Sequence, residues 1–244
     1  KAGGDTWFFL TADYAFGHAL ERDASAAVVK AGGKVLGSVR TPFPATDFSS
    51  FLLQAQGSKA KVIGLANAGG DTINSIKQAS EFGITKGGQK LAGMLMFITD
   101  VHSLGLPTAQ GLNFTTTFYW DMNDATRAWT KRFVAGTNGK YPTMVHAGVY
   151  ASLLHYLKAV QAINSDDGTK VVAEMKKLPT DDPLFGKGSI RADGRKLHPA
   201  YLFEVKKPAE SKAPWDLLKV VTTIPADQAF RPIDQGDCPL VAKK

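Results

Sequence analysis

The stretch Leu10–Gly37, LTADYAFGHALERDASAAVVKAGGKVLG, decides the fold class. An apolar strand that begins near Trp7 turns at TADYAFG and runs into an alanine-rich segment, which Gly32-Gly33 ends. The apolar residues of that segment recur at helical spacing: Leu20, Ala24, Ala27, Val28 and Ala31. A strand, a helix and a second strand in this order predict a βαβ unit with parallel strands.

The same alternation continues through the first half of the chain. Further strands begin near Lys34, Lys61 and Leu91, the last in the run LAGMLMFI. The second helix follows Asp47, which has the residue type of an N-cap, and the third starts near Asp71 and ends at Gly83. These units predict an α/β fold with a parallel sheet.

The pattern changes after Leu91. Three helices are predicted next, at about Asp124–Ala135, Met144–Ile163 and Thr169–Lys177. Antiparallel-looking strands follow: two around an Asp193-Gly194 turn, and a third in WDLLKVVTTI. Because the βαβ repetition stops between Thr117 and Asp124, we expect one domain over residues 1–120 and another over 121–244.

Composition narrows the function classes. The 244 residues carry a net charge of +7, but their basic residues are scattered, so a solvated basic surface is favoured over a nucleic-acid site. No apolar run is long enough to span a membrane. The single cysteine, Cys238, has no catalytic motif around it and could have a disulfide partner elsewhere.

Motifs for catalysis, nucleotides and metals are missing from the sequence. The turn ANAGGDT, Ala66–Thr72, has neither the G-x-G-x-x-G nor the G-K-[ST] spacing, and no serine has the G-x-S-x-G context. The five histidines lack metal-site spacing. The acid pairs Asp166-Asp167 and Asp181-Asp182 suit helix caps and turns. The sequence therefore predicts no enzyme, no cofactor and no metal site.

Three strand-to-helix turns remain as candidates for a binding site: TADYAFG, ANAGGDT and ITDVHS. Parallel strands place such turns at one edge of the sheet, where ligands bind. Tyr14 and Phe16 offer flat apolar surfaces, and Gly17 is expected to let the backbone turn into the helix. Asp100 suits an ammonium or hydroxyl group. The alternatives are that Phe16 packs inward and that Asp100 only caps the next segment.

The order of these features resembles one known family. Asp13 with Gly17, then Gly32-Gly33, Thr46-Asp47-Phe48 and the long helix in YPTMVHAGVYASLLHYLKAV are similar to the type I periplasmic solute-binding proteins of ABC transporters. The similar branch is the Leu/Ile/Val type, which also includes binders of aromatic acids. The resemblance implies a periplasmic-binding-protein-like I fold, with a complete parallel βαβ lobe and a partial second lobe.

The resemblance also implies a function. A small amino acid or an aromatic carboxylate would bind in an interlobe cleft, and the protein would deliver it to a membrane permease from the periplasm. The implied ligand contacts are Tyr14, Phe16, Asn67, Gly69, Asp71, Asp100 and Tyr119. Asp100 would bind an α-ammonium group, whereas Phe16 in place of the family's tyrosine favours an apolar or aromatic ligand. The aromatics Phe118–Trp120 would flank the cleft or belong to the core.

Compared with that family, the chain looks truncated, because most of the first lobe has no counterpart in it. We therefore expect weak ligand binding and a homo-oligomer that covers exposed apolar helix faces. The residues expected on those faces are Trp129, Phe133, Leu153, Leu154 and Leu157. The alternative function is the ligand-sensing domain of a receptor or transcription regulator that shares the fold.

Overall fold

The structure, a computed structural model, describes residues 3–236 and 238–241. It forms two compact units, and each is discontinuous in sequence. The first unit contains the chain up to Thr115 together with Phe203–Val220, and the second contains Thr116–Leu202 and the chain from Val221 onward. The chain thus passes between the units three times.

The main sheet is built as the βαβ pattern predicts. Its seven strands are β1 (Thr6–Ala12), β2 (Lys34–Thr41), β3 (Val62–Ala66), β4 (Lys90–Gly93), β5 (Asn113–Thr116), β9 (Ala200–Val205) and β10 (Leu218–Ile224). They are hydrogen-bonded in the order β10-β9-β5-β4-β3-β1-β2, and neighbours among β1 to β5 are parallel. Each passage between the units falls inside one of the strands β5, β9 and β10.

Helices cover this sheet in the first unit. They are α1 (Ala15–Lys30), α2 (Ser49–Gly57), α3 (Gly70–Glu81), α4 (Ile98–Leu104) and α5 (Leu106–Ala109). All five residues of β3 are buried, as a strand covered on both faces requires. Gly64 admits the ring of Phe9, because a Cβ at Gly64 would lie 2.6 Å from the Phe9 ring.

Three local predictions for this unit are corrected. The fourth strand ends at Gly93 instead of continuing through LAGMLMFI, because the chain turns there and Met96 is buried against Gly93. The N-cap of α2 is Phe48, although the Asp47 carboxylate still accepts the Ser49 N–H at 2.9 Å. The predicted inner face of α1 is incompletely covered, since Ala27 and Ala31 are exposed.

The second unit contains three helices and a small antiparallel sheet. The helices are α6 (Asp124–Gly136), α7 (Met144–Ile163) and α8 (Gly168–Lys177), and the strands are β6 (Thr180–Asp182), β7 (Gly186–Ile190) and β8 (Lys196–Leu197). The core cluster contains Phe118, Trp129, Ala147 and Leu184. Trp129 and Phe133 therefore pack inside the unit, which corrects their expected exposure, while Leu153 and Leu157 are more than half exposed.

The predictions for the acid pairs and for the strands of this unit are confirmed only in part. Asp167 is the N-cap of α8, as predicted for its acid pair. Asp181 and Asp182 lie in β6 rather than in a turn, although the Asp182 carboxylate accepts N–H groups just beyond that strand. The single strand predicted after Gly194 is two strands, β8 and β9 in different sheets, separated at His198-Pro199.

Candidate functional site

The strand order reverses at β1, and this reversal marks the candidate site. From β1 the chain passes through α1 to β2 on one side, whereas from β3 it passes through α3 to β4 on the other. Open α/β sheets bind ligands in the crevice outside the carboxyl ends of the strands at such a reversal. The turns after β1 and β3 therefore line the candidate site.

The turn after β1 carries a cluster of aromatic rings. Tyr14 is the N-cap of α1, and its ring centroid lies 5.7 Å from that of Phe16. The Tyr14 ring also stacks on Phe43, which follows β2, at 4.3 Å and 21°. Phe43 is 52% exposed and Tyr14 is 36% exposed. Two neighbouring turns thus present a flat apolar surface at the edge of the sheet.

Charged residues beside these rings hold the start of α1. The Asp13 carboxylate lies 2.8 Å from His18 Nε2 and 3.7 Å from Arg40 Nη1. Arg40 Nη2 is in turn 3.8 Å from Glu21. The Asp13 carboxylate is therefore engaged by side chains of α1 and β2.

Gly17 is required by close packing rather than by an unusual backbone angle. A Cβ at this position would lie 2.1 Å from the Ala12 carbonyl oxygen. The first turn of α1 therefore sits directly against the end of β1. This corrects the expectation that Gly17 serves to turn the backbone, and it explains the spacing from Asp13.

The turn after β3 is held by a buried side-chain network. The Asn67 amide nitrogen donates to Ser75 Oγ at 3.1 Å, and its oxygen accepts from Thr72 Oγ1 at 2.7 Å. Gly69, at φ +59°, has the left-handed conformation that favours glycine. The Asn67 side chain is thus engaged inside the turn, and the exposed backbone of Gly69 and Gly70 faces outward.

Asp71 lies in the first turn of α3 and is 5% exposed. One carboxyl oxygen accepts the Ala45 N–H at 3.4 Å, and the other is buried with no hydrogen-bond partner among the described residues. Burial raises the pKa of Asp71, and the hydrogen bond from Ala45 offsets this only in part. The side chain therefore has an unused acceptor next to the candidate site.

Asp100 lies in the first turn of α4, which follows β4, and its carboxylate binds the backbone of the N-cap residue Phe97. Its Oδ2 accepts the Phe97 N–H at 2.9 Å, so the capping alternative holds for one of the two oxygens. Burial raises the pKa of Asp100, against the smaller effect of the Phe97 hydrogen bond.

The two helices at the strand reversal begin without side-chain caps. The Tyr14 side chain makes no capping hydrogen bond at α1, and the N-cap of α3, Gly69, has no side chain to make one. The N-cap side chains of α2, α4 and α5 in the same unit make none either, whereas the helices of the second unit are capped by Asn123, Thr143 and Asp167. The first N–H groups of α1 and α3 are therefore left by the caps for an anion such as a carboxylate.

Six of the seven expected contacts lie on this edge of the first unit: Tyr14, Phe16, Asn67, Gly69, Asp71 and Asp100. Tyr119 belongs to the second unit, where it is 5% exposed and its ring lies 5.8 Å from that of Trp120. Sequence reasoning missed Phe43. The signal was available in TPFP, an aromatic residue between two prolines directly after β2.

Within residues 3–236 and 238–241, no group of three or more His, Cys, Asp or Glu side chains is arranged to hold a metal ion. His155 instead pairs through Nε2 with the Met175 carbonyl at 2.8 Å. In the described part of the chain, no helix has the length and apolar character needed to cross a membrane.

The geometry of a parallel sheet with an open carboxyl edge agrees with the family comparison. The profile described as periplasmic binding protein matches residues 1–212. The chain belongs to the periplasmic binding protein family. The proteins of this family bind solutes and are not enzymes. No curated protein matched the chain.

Solved periplasmic binding proteins share the fold of this chain over nearly its whole length. One from Burkholderia mallei is 57% identical, with a TM-score of 0.92, and covers 98% of this chain and 63% of that chain. A branched chain amino acid ABC transporter periplasmic ligand-binding protein from Burkholderia xenovorans LB400 is 44% identical, with a TM-score of 0.89 and coverages of 98% and 63%. The amino acid ABC transporter substrate-binding protein of Pseudomonas fluorescens Pf-5 is 25% identical, with a TM-score of 0.85 and coverages of 97% and 62%. The chain thus spans less than two thirds of each of these relatives.

Proposed function

We propose that the chain is part of the solute-binding component of an ABC importer, and that its solute binds at the carboxyl edge of β1 and β3. The observation that carries the proposal is the pair of uncapped helices, α1 and α3, beside exposed aromatic rings at the strand reversal. This arrangement supplies N–H donors for a carboxylate and a flat surface for an apolar group.

The proposed ligand is a small amino acid or an aromatic carboxylate. Both have a carboxylate for the helix N-termini and an apolar part for Tyr14, Phe16 and Phe43. An α-ammonium or hydroxyl group would be accepted by Asp100 or by the unpartnered oxygen of Asp71. The similarity to the branched chain amino acid ligand-binding protein of Burkholderia xenovorans supports the branched-chain amino acids as the first candidates.

Binding alone is the proposed activity, so no bond of the solute is made or broken. We infer that the loaded protein then passes its solute to a membrane permease on the periplasmic side. Any state that binds solute is stabilised by about 4 kcal/mol at a thousandfold excess over Kd.

The test is an NMR titration of the ¹⁵N-labelled chain with L-leucine, L-isoleucine, L-valine and benzoate. Chemical-shift changes detect weak as well as tight binding, which matters because the chain spans 63% of its relatives. We expect saturable changes in the amides of Tyr14, Phe16 and residues 69–71. Changes scattered over the surface, or none with any of the four compounds, would contradict the proposal.

A matched pair of variants tests the aromatic surface. Phe16→Ala removes a ring of the candidate site, whereas Phe82→Ala removes a 41% exposed ring at the far end of α3. Loss of one buried aromatic contact is expected to weaken binding about tenfold or more in Phe16→Ala. Equal affinities of the two variants would place the solute elsewhere.

A further inference from the structure

A basic pocket of about 320 Å³ lies in the second unit, away from the residues of the proposed solute site. It is formed by the β7–β8 turn and the segment that follows β10. Four basic side chains line it, Arg191, Arg195, Lys196 and Arg231, together with one carboxylate, Asp193. Such a lining concentrates positive potential in a small concave space.

Arg191 ties the two walls of this pocket together. Its Nε and Nη2 donate to the two Asp193 oxygens at 3.1 and 2.6 Å, and its Nη1 donates to the Arg231 carbonyl at 2.9 Å. This bidentate pair lowers the pKa of Asp193. The lining carboxylate is therefore ionised and already paired, and Arg191 is held in place as a fixed charge.

Lys196 is compensated as well. Its ammonium group is hydrogen-bonded to the buried carboxylate of Asp182 and lies 4.8 Å from the Phe185 ring centroid. The Asp182 carboxylate thus balances the charge of Lys196. Lys196 therefore shapes the pocket and adds little to its positive potential.

Arg195 differs from both. Its guanidinium carbon lies 5.2 Å from the centroid of the Phe230 ring, a cation–π arrangement that leaves the N–H groups at the rim of the plane. Within residues 3–236 and 238–241 no carboxylate forms an ion pair with it. Arg195 therefore carries donors and a charge that the described chain does not neutralise.

We propose that this pocket binds a small tetrahedral oxyanion of the phosphate or sulfate type, with Arg195 as its principal ligand. The planar fork of a guanidinium matches two oxygens of such an anion, and the excess of basic over acidic side chains in the lining adds attraction. The bound anion would link the β7–β8 turn to the segment after β10.

Calorimetric titration with inorganic phosphate, and separately with sulfate, at constant ionic strength tests the proposal. We expect one saturable site in the chain and at least a tenfold loss of affinity in Arg195→Gln, because a charge-assisted contact is removed. Arg132→Gln, at an exposed arginine of α6, is the matched control and is expected to bind like the wild type.

Two outcomes would overturn the proposal: no saturable heat with either anion, or equal weakening in Arg195→Gln and Arg132→Gln, which would indicate adventitious binding to a basic surface. If Arg195→Gln fails to fold, Arg195→Lys replaces it in the test, because lysine keeps the charge but lacks the planar guanidinium. An unchanged anion affinity of Arg195→Lys would then contradict the proposal. The solute titration of the first unit is a separate readout, so the two proposals can fail independently.

Discussion

At the scale of single residues, steric and electrostatic constraints on the candidate site can be separated. Gly17 is fixed by the Ala12 carbonyl, and Gly69 by its positive φ. Asn67 is committed to the turn through both groups of its amide. Asp71 is the exception, because one of its oxygens is buried without a partner. The first three positions shape the edge of the sheet, and Asp71 is the group that a ligand could still satisfy.

Gly17→Ala is expected to lower the free energy of unfolding by about 1–3 kcal/mol, since its methyl group would overlap the Ala12 carbonyl. Urea unfolding measures the effect. Gly57→Ala is the control, because a Cβ there meets nothing within 4 Å and α2 tolerates alanine. Equal stabilities of the two variants would show that α1 can move away from β1.

Asp71 should make the stability depend on pH. Its pKa is raised in the folded protein, so its charge costs stability as pH rises from the ordinary aspartate pKa through the folded one. The difference in free energy of unfolding between Asp71→Asn and the wild type should therefore shift in favour of Asp71→Asn as pH rises through this range. Below the ordinary aspartate pKa, this difference should not change with pH.

Urea unfolding between about pH 3 and pH 7 measures this slope, which a constant effect of the new amide does not change. Asp47→Asn is the control with the opposite sign, because hydrogen bonds from Ser49 lower the pKa of Asp47. A flat difference for Asp71→Asn would mean that its carboxylate is solvated.

At the scale of elements, the sequence predicted the helices and the parallel strands because periodicity and caps are local signals. Met144–Ile163 was predicted with its observed bounds, and α6 and α8 within one residue. The short strands were harder. β4 stops at Gly93, since its pairing partners β3 and β5 are distant in sequence and decide where it ends, and β8 has only two residues.

The candidate site was predictable in its turns but not in its contacts. Strand order places TADYAFG and ANAGGDT together, and the sequence indicates both turns. The Tyr14–Phe43 stack joins residues from two different turns, and the use of Asn67 by Ser75 and Thr72 depends on the three-dimensional packing of α3. Neither follows from spacing along the chain.

The cap of α8 gives a prediction for a whole element. Asp167 accepts the Lys170 N–H at 2.9 Å, so Asp167→Ala should cost about 1 kcal/mol of stability. Asp166→Ala removes the adjacent exposed carboxylate, which makes no capping bond, and should be nearly neutral. Thermal unfolding of both variants measures the difference, and similar losses would assign the effect to charge rather than to capping.

At the scale of the whole molecule, an apolar stripe on α7 stands out. It consists of Val145, Val149, Leu153, Tyr156 and Leu157, which are between 36% and 62% exposed. Their spacing places them along one side of the helix, opposite the buried Ala147, Ala151, His155 and Ala159. Exposed apolar patches of this kind favour association in water.

We therefore expect the 244-residue chain to self-associate through the α7 stripe. Leu153→Glu should weaken association at least about tenfold, because it replaces apolar contact with a charge. Val29→Glu is the control, since Val29 is 62% exposed on α1. Sedimentation velocity over a range of concentrations gives the result, and a wild-type chain that stays monomeric would contradict the expectation.

The three passages of the chain through β5, β9 and β10 have a consequence for synthesis. The first unit needs Phe203–Val220 to complete its sheet, so it cannot close while only the earlier strands have left the ribosome. The Thr116–Leu202 part of the second unit emerges in the meantime. It forms a long loop within the first unit, and the entropic cost of closing that loop grows only slowly with its length. The first unit therefore begins to emerge first but is completed only after most of the second unit has been synthesised. A nascent chain that stops before β9 leaves β5 as an edge strand, which can pair with strands of other chains.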